Sequence, residues 1–245
     1  MAIMQCIFES EVLGKKSGMN VLLPERGASD CSVLYLLHGH GDNYLTWCNN
    51  SEIENLAREY NIAVIMPEAE KSFYHNMETG PRYYDHIAEE IPALAKRMFG
   101  VENDPKRTHI AGVSMGGYGA FMIALRNPDR FCTAGSFSGC LDLYSCLCEY
   151  EEPITECRTV FSDFETIPGS NADLLTLIET VQNPPQMYQF CGTEDFVYEY
   201  NRRFLQKAQK LHLPVEYSEC PGEHEWVLWR EQIKQYISWM LAKEK

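Results

Sequence analysis

Short apolar runs alternate with amphipathic stretches along most of this 245-residue chain, and this alternation restricts its fold more than any other feature. Parallel strands that are covered on both faces are apolar throughout, and crossover helices join them. The runs typical of such strands are 32–37, 62–66, 108–113, 187–191 and 215–220. The sequence therefore predicts an α/β fold with a mainly parallel central sheet flanked by helices.

Apolar residues at helical spacing predict two helices that face the core. They lie at 87–98 and at 229–241. The first thirty residues are expected to form antiparallel edge strands that are joined by a turn at 15–18.

The length of the chain suits one domain, residues 1–245. Residues 140–183 break the alternation, because they are rich in acidic and aromatic side chains and contain Pro153, Pro168 and Gly169. Long excursions from a compact α/β domain commonly form lids or binding loops. We expect a cap-like lid or pocket-forming excursion here, with surface decoration as the alternative.

Charge and hydropathy exclude several classes of partner. The formal net charge of −14 repels a phosphate backbone, so we expect no nucleic-acid partner. No run approaches the roughly 18 uncharged apolar residues of a spanning helix, which argues against membrane insertion. The first residues do not resemble a signal peptide, and we therefore expect a cytoplasmic protein.

The ten cysteines are scattered along the chain, and we expect reduced thiols. The tightest group could be imagined as a metal site, but its spacing does not match the paired C-x-x-C pattern of zinc sites. We therefore predict no metal. The members of that group are Cys140, Cys146, Cys148 and Cys157.

The segment Gly-Val-Ser-Met-Gly at 112–116 matches the pattern G-x-S-x-G, with Ser114 at its centre. An apolar strand precedes the segment and a helix rich in small residues follows it, as a nucleophile turn requires. The glycines allow the sharp turn, which exposes the serine hydroxyl above the sheet. The sequence predicts Ser114 as a nucleophile, although a serine between glycines also occurs in ordinary turns.

A serine nucleophile needs a base, usually a histidine that a carboxylate orients. In folds with this motif the chain order is Ser, then Asp or Glu, then His. His224 follows the last predicted strand and so lies at the carboxyl edge of the sheet, where such sheets carry their sites. His212 lies between a helix and a strand, which is typical of a structural position. We predict His224 as the base.

The acid is expected at the end of the preceding strand, where Glu194 and Asp195 are adjacent. We favour Asp195, because a turn opened by Gly192 can aim it inward and leave Glu194 in solvent. The alternative role for Asp195 is a helix N-terminal cap.

The oxyanion of an acyl-transfer intermediate needs two preorganised donors. We assign the backbone N–H groups of Met115 and His40, the latter in the glycine-containing loop after the strand 32–37. His38 is expected to support this loop. A metal site formed by His38, His40 and Asp42 is the competing interpretation, but these residues do not provide a third ligand at a suitable spacing.

Aromatic residues near the turn at Gly80 are candidates for the pocket wall, because they belong to loops around the nucleophile. Ordinary packing beneath the loop is an equal alternative. The residues are Phe73, Tyr74, Tyr83 and Tyr84.

With these motifs the chain resembles the tributyrin esterase branch of the esterase D family, which is related to S-formylglutathione hydrolases and bacterial feruloyl esterases. The resemblance rests on Leu-Leu-His-Gly at 36–39, the ten residues 110–119, Phe-Ser-Gly at 137–139, Cys-Gly-Thr-Glu-Asp-Phe at 191–196 and Gly-Glu-His-Glu-Trp at 222–226. It implies the α/β-hydrolase fold, hydrolysis of short-chain acyl esters without a cofactor, and a triad of Ser114, Asp195 and His224. Residues 140–183 depart from the family pattern.

Three functions follow from these observations. The first is a carboxylesterase for small-molecule acyl esters, including acylated sugars and phenolic esters. The second is hydrolysis of the thioester S-formylglutathione, and the third is a catalytically silent binding module that keeps the fold. A homo-oligomer is left open as the assembly.

Overall fold

The computed structural model describes residues 1–25, 29–149 and 155–244. Its strands form one eight-stranded sheet in the order β1-β2-β4-β3-β5-β6-β7-β8. The strands are β1 Ala2–Ser10, β2 Lys15–Leu23, β3 Val33–Leu37, β4 Ala63–Pro67, β5 Thr108–Val113, β6 Thr133–Phe137, β7 Gln186–Gly192 and β8 Val215–Cys220.

The hairpin of β1 and β2 forms the antiparallel edge of this sheet, and β2 pairs antiparallel with β4. All other neighbouring strands pair in parallel. Strands β3, β4 and β5 are buried along their whole length, as their mainly apolar sequences predict. The predicted mainly parallel sheet is confirmed. Because β3, β5, β7 and β8 run in one direction, the loops that follow them lie at the same edge.

Helices follow each of the strands β3 to β8 in the chain. They are α1 Thr46–Asn50, α2 Ile53–Glu59, α3 Tyr83–Asp85, α4 Ile91–Phe99, α5 Met115–Arg126, α6 Leu143–Glu149, α7 Leu174–Thr180, α8 Tyr198–Lys210 and α9 Trp226–Leu241. The helix predicted at 87–98 is the continuous run of α3, a π-helical turn at His86–Glu90 and α4. The helix predicted at 229–241 is α9, which begins three residues earlier.

Strand β6 was missed by the sequence analysis, because its sequence Thr-Ala-Gly-Ser-Phe is short of large apolar side chains. Packing explains this composition. A Cβ atom on Gly135 would lie 2.7 Å from the ring of Tyr236, so the strand needs a glycine to accommodate α9.

The turn of the first hairpin was predicted at 15–18, and this position is wrong. The turn lies at 11–14, between Ser10 and Lys15. Gly14 adopts a φ of +64°, which a glycine tolerates at little cost, and the N–H of Leu13 donates to the Ser10 hydroxyl. These local contacts close the hairpin before the predicted position.

The excursion at 140–183 lies between β6 and β7, and its residues 150–154 fall outside the described residues. The described part contains α6, α7 and two short 3₁₀ turns, Thr155–Thr159 and Phe164–Thr166. Cys140 and Cys146 form a disulfide, so the prediction of reduced thiols is wrong for this pair. Their Cα atoms lie 6.3 Å apart, within the range that a disulfide can bridge.

Two further observations concern only the described part of the chain. None of its helices is both long and apolar enough to cross a bilayer. No three side chains among its His, Cys, Asp and Glu residues converge on a position where they could hold a metal ion.

Candidate active site

Ser114 lies in a sharp turn between β5 and α5, with φ 55° and ψ −120°. A positive φ is strained for a serine, and the close packing of two glycines around it allows the turn. A Cβ atom on Gly112 would overlap the carbonyl group of Gly116, and one on Gly116 would lie 2.6 Å from the carbonyl oxygens of Leu37 and His38. A larger residue at either position would therefore clash with the backbone, which explains why the motif needs glycines there.

Three side chains form a continuous hydrogen-bonded chain at this turn. His224 Nε2 lies 2.9 Å from Ser114 Oγ, and His224 Nδ1 lies 2.9 and 3.0 Å from the two carboxylate oxygens of Asp195. The Asp195 side chain is fully buried, whereas the His224 side chain is 18% exposed. The carboxylate fixes the ring orientation, and the exposed part of the ring can exchange a proton with a bound molecule.

The structure distinguishes between the residues that the sequence offered as the acid and as the base. Glu194 is exposed, whereas its neighbour Asp195 is buried and also accepts a hydrogen bond from the N–H of Val197 at 3.0 Å. His212 is exposed beyond the carboxyl end of α8 and precedes β8. It therefore lies at the opposite edge of the sheet from Ser114.

The loop after β3 lies against the nucleophile turn. A Cβ atom on Gly39 would lie 3.6 Å from Ser114 Cβ and 3.7 Å from the carbonyl oxygen of Val113. His40 follows Gly39 in this loop. On the other side, Met115 is the first residue of α5, where an N–H has no acceptor within the helix. Of the two residues predicted as oxyanion donors, Met115 thus directly follows Ser114, and His40 follows a glycine that packs against Ser114.

A family model described as a putative esterase matches residues 10–240 of the chain. The chain belongs to this esterase family. This esterase is 30% identical over 261 aligned residues to an acetyl esterase of Caldicellulosiruptor saccharolyticus, with 98% of each chain covered. The predicted membership of an esterase family is confirmed.

Two solved structures from Staphylococcus aureus are similar to this esterase, each with 98% of both chains covered. One is a fluorophosphonate-binding serine hydrolase in a substrate-bound state, with 29% identity and a TM-score of 0.91. The other is an S-formylglutathione hydrolase, with 28% identity and a TM-score of 0.89. The fold is therefore the predicted α/β-hydrolase fold, and the protein is a serine esterase, a carboxylic ester hydrolase.

Two aromatic side chains that the sequence analysis did not select enclose the imidazole of this esterase. The Phe196 ring lies 4.5 Å and the Trp229 ring 4.8 Å from the His224 ring, measured between centroids. The Trp229 indole N–H donates to Ser138 Oγ at 3.0 Å, which fixes the indole. Phe196 directly follows Asp195, and Trp229 lies five residues after His224. This proximity in the sequence to the predicted triad could have indicated both residues.

Of the four aromatic residues predicted for the pocket, Phe73 packs beside His40. Its ring centroid is 5.7 Å from that of His40 and 6.3 Å from that of Phe161 in the excursion. Tyr74 is fully buried, and its hydroxyl donates to the carbonyl oxygen of His38 at 2.8 Å. Tyr74 therefore supports the loop after β3 from beneath, which fits the packing alternative.

Tyr83 and Tyr84 have other packing partners, which fits the packing alternative for them as well. The Tyr84 ring packs under the guanidinium of Arg126, and its hydroxyl accepts from Asn127 at 2.8 Å. Both partners lie at the carboxyl end of α5, which is about 18 Å long at 1.5 Å per residue and begins beside Ser114. Tyr83 is buried beneath Lys15, next to the first hairpin.

A buried histidine that the sequence analysis did not select links the excursion to α5. His75 Nε2 donates to the Tyr118 hydroxyl at 2.7 Å, and this hydroxyl donates to the carbonyl oxygen of Ala172 at 2.7 Å. The His75 ring also packs on Phe161 at 5.0 Å. Burial lowers the pKa of His75 to about 3, and Arg126 contributes in the same direction. His75 is therefore neutral at physiological pH.

Proposed function

We propose that this esterase hydrolyses short-chain acyl esters with Ser114 as nucleophile, His224 as general base and Asp195 as the acid that orients the histidine. The observation that carries the proposal is the continuous hydrogen-bonded chain from Ser114 through His224 to Asp195. It joins three residues on three different loops at the strained turn of the nucleophile.

In the proposed acylation, Ser114 Oγ attacks the ester carbonyl carbon and gives its proton to His224 Nε2. The buried carboxylate of Asp195 stabilises the imidazolium that results. The C=O electrons move to the carbonyl oxygen, which is stabilised by the N–H groups of Met115 and His40. When the tetrahedral intermediate collapses, the C–O bond breaks and the alcohol leaves with the proton from His224.

Water then attacks the acyl group on Ser114, with His224 again as the base, and releases the carboxylic acid. A chain of nucleophile, base and orienting acid works as a unit, so each member is needed in both halves of the cycle. No cofactor takes part in these steps.

Two observations support a short acyl chain. The relative from Caldicellulosiruptor saccharolyticus is named an acetyl esterase. The Phe73 ring packs on both His40 and Phe161, so bulky side chains border the loop after β3. We also propose that residues 140–183 act as a lid within a single domain of residues 1–245, because the excursion carries Phe161 to this position.

A fluorophosphonate probe tests the nucleophile. We expect stoichiometric labelling of Ser114, no labelling of Ser114→Ala, and a fall in kcat for p-nitrophenyl acetate of about 10⁵- to 10⁶-fold in this variant. Absence of labelling in the folded wild-type protein would instead favour a catalytically silent binding module. The acyl preference follows from kcat/KM for acetate, butyrate and hydroxycinnamate esters, with tributyrin as the test of tributyrin esterase activity.

Hydrolysis of S-formylglutathione is the second candidate, and the similar Staphylococcus aureus structure with this name favours it. The same three residues would serve, since a thiolate replaces the alcohol as leaving group. The ratio of kcat/KM for S-formylglutathione to that for p-nitrophenyl acetate separates the two candidates.

The cytoplasmic location and a homo-oligomeric assembly are also proposals. The disulfide between Cys140 and Cys146 is an argument against the location, because cytosolic thiols are normally kept reduced. Cell fractionation tests the location, and light scattering of the purified protein tests the assembly.

A further inference from the structure

The structure holds the peptide group between Gly39 and His40 from several sides. Its oxygen accepts a hydrogen bond from His38 Nδ1 at 2.8 Å and another from the N–H of Asp42 at 3.2 Å. Two donors on one carbonyl fix the plane of the peptide and polarise it. The orientation of this single peptide is therefore determined by its neighbours within the loop.

The orientation of the carbonyl also sets the orientation of the adjoining N–H. The described chain contains no cis peptide bond, and the C=O and N–H of a trans peptide point in opposite directions. The Gly39 carbonyl points into the turn towards Asp42. The N–H of His40 therefore points out of the turn, on the loop that packs against Ser114.

The side chain of Asp42 closes the same turn from its other end. A Cβ atom on Gly39 would lie 3.2 Å from Asp42 Oδ2, so the carboxylate borders Gly39 directly. Burial raises the pKa of Asp42, while electrostatic interactions with His38 and His224 and hydrogen bonds from the Gly39 N–H and the Thr46 hydroxyl act in the opposite direction. Gly39 and Asp42 are thus joined twice, by the hydrogen bond from the Asp42 N–H to the Gly39 carbonyl and by the contact of the Asp42 carboxylate with Gly39.

We infer that Asp42 is a positioning residue of this esterase, which together with His38 aims the N–H of His40 at the oxyanion. The inference rests on the proposed function, because it assumes that Ser114 forms the tetrahedral intermediate. In this role Asp42 needs no contact with the substrate or the reacting atoms. It acts through the Gly39–His40 peptide, whose N–H stabilises the substrate mainly when the substrate carbonyl oxygen becomes an anion.

The test compares Asp42→Ala with Asp42→Asn. Asparagine keeps an oxygen that can accept from Gly39, whereas alanine removes the side-chain contact altogether. For p-nitrophenyl acetate we expect Asp42→Ala to lower kcat by about 10- to 100-fold, with KM within about threefold, because a displaced donor is lost mainly in the transition state. Asp42→Asn should retain most of the kcat.

A trifluoromethyl ketone provides a readout that a loss of folded protein would not mimic. Ser114 Oγ adds to its carbonyl carbon, the C=O electrons become an oxyanion, and the proton passes to His224. In Asp42→Ala the inhibition constant should rise by about the same factor as kcat falls, since both depend on the oxyanion donors. The control is Asp30→Ala, an exposed aspartate before β3, at the other end of that strand.

The inference is overturned if Asp42→Ala keeps kcat within about twofold of wild type, or if kcat falls without a matching loss of ketone affinity. If Asp42→Ala does not fold, Thr46→Val replaces it, because this variant removes one partner of the carboxylate and keeps the hydrogen bond from the Asp42 N–H to the Gly39 carbonyl, although the Asn43 N–H loses its acceptor. In Thr46→Val, kcat should fall and the inhibition constant of the ketone should rise, each by about three- to tenfold. Unchanged kinetics would overturn the inference. Ser114→Ala in the same assay separates the two proposals: if it retains activity, the proposed function itself fails.

Discussion

Gly192 and Gly222 lie so close together that a Cβ atom on Gly192 would overlap the carbonyl oxygen of Gly222. The same carbonyl oxygen accepts a hydrogen bond from the N–H of Glu194 at 3.0 Å. Gly192 ends β7, three residues before Asp195, and Gly222 lies two residues before His224. The contact between these two glycines therefore sets the distance between the loops that carry the carboxylate and the imidazole.

We expect Gly192→Ala to lower kcat by about 10²-fold, because a shift of about 1 Å between catalytic groups has an effect of this size. The measurement is kcat for p-nitrophenyl acetate, with circular dichroism as a check of folding. Gly100→Ala is the control, since Gly100 has a φ of +69° and no neighbour within 4 Å of the added atom. It should reduce stability and leave kcat unchanged; equal kinetic effects of the two variants would contradict the prediction.

Asp195→Asn should lower kcat by about 10⁴-fold, since the amide sets the wrong imidazole tautomer and removes the charge that stabilises the imidazolium. Glu194→Gln is the matched control, because the adjacent Glu194 is exposed to solvent. We expect it to have kinetics close to wild type. Similar losses in both variants would place the orienting acid elsewhere.

Phe73→Ala should change the preference among esters, because its ring borders His40 and Phe161. We expect the ratio of kcat/KM between butyrate and acetate esters to change by about tenfold, since one methylene in an apolar pocket contributes about 1 to 3 kcal/mol. Tyr84→Ala is the control, as its ring packs on Arg126 at the far end of α5. This variant should lower Tm without changing the ratio. A uniform fall for all esters in Phe73→Ala would leave Phe73 with a packing role alone.

His75 should make the protein sensitive to acid. Its pKa is about 3 in the folded protein and about 6.5 in an unfolded chain, so the unfolded state binds more protons between these values. The free energy of unfolding should therefore fall as the pH decreases from about 6.5 towards 3, by up to about 1.4 kcal/mol per pH unit from this group.

Urea unfolding at pH 7.5, 5.5 and 4.5 measures this effect, with His75→Gln as the comparison. Glutamine can still donate to the Tyr118 hydroxyl but binds no proton. The difference in unfolding free energy between wild type and variant removes the contribution of carboxylates that titrate in both proteins. Parallel pH profiles would show that His75 does not cause the acid sensitivity.

The sequence by itself determined the parallel sheet and the position of its functional edge. Buried strands such as β3 and β4 are apolar along their whole length, and this pattern depends on local sequence. The order of Ser114, Asp195 and His224 after β5, β7 and β8 placed all three at one edge, because parallel strands end on the same side. The steric limit at Gly112 is also local, because its close neighbour is Gly116, so the motif indicated the nucleophile turn.

Only the tertiary structure decided which side chains share a space. β6 could not be predicted because its Gly135 accommodates Tyr236, about a hundred residues later in the chain. Tyr84 was assigned to the pocket from its neighbours in sequence, whereas its ring packs on Arg126. His75, which links α5 to the excursion, gave no signal in the sequence. The physical reason is that a pattern of residues fixes which face of an element is buried, but packing between distant segments fixes what that face contacts.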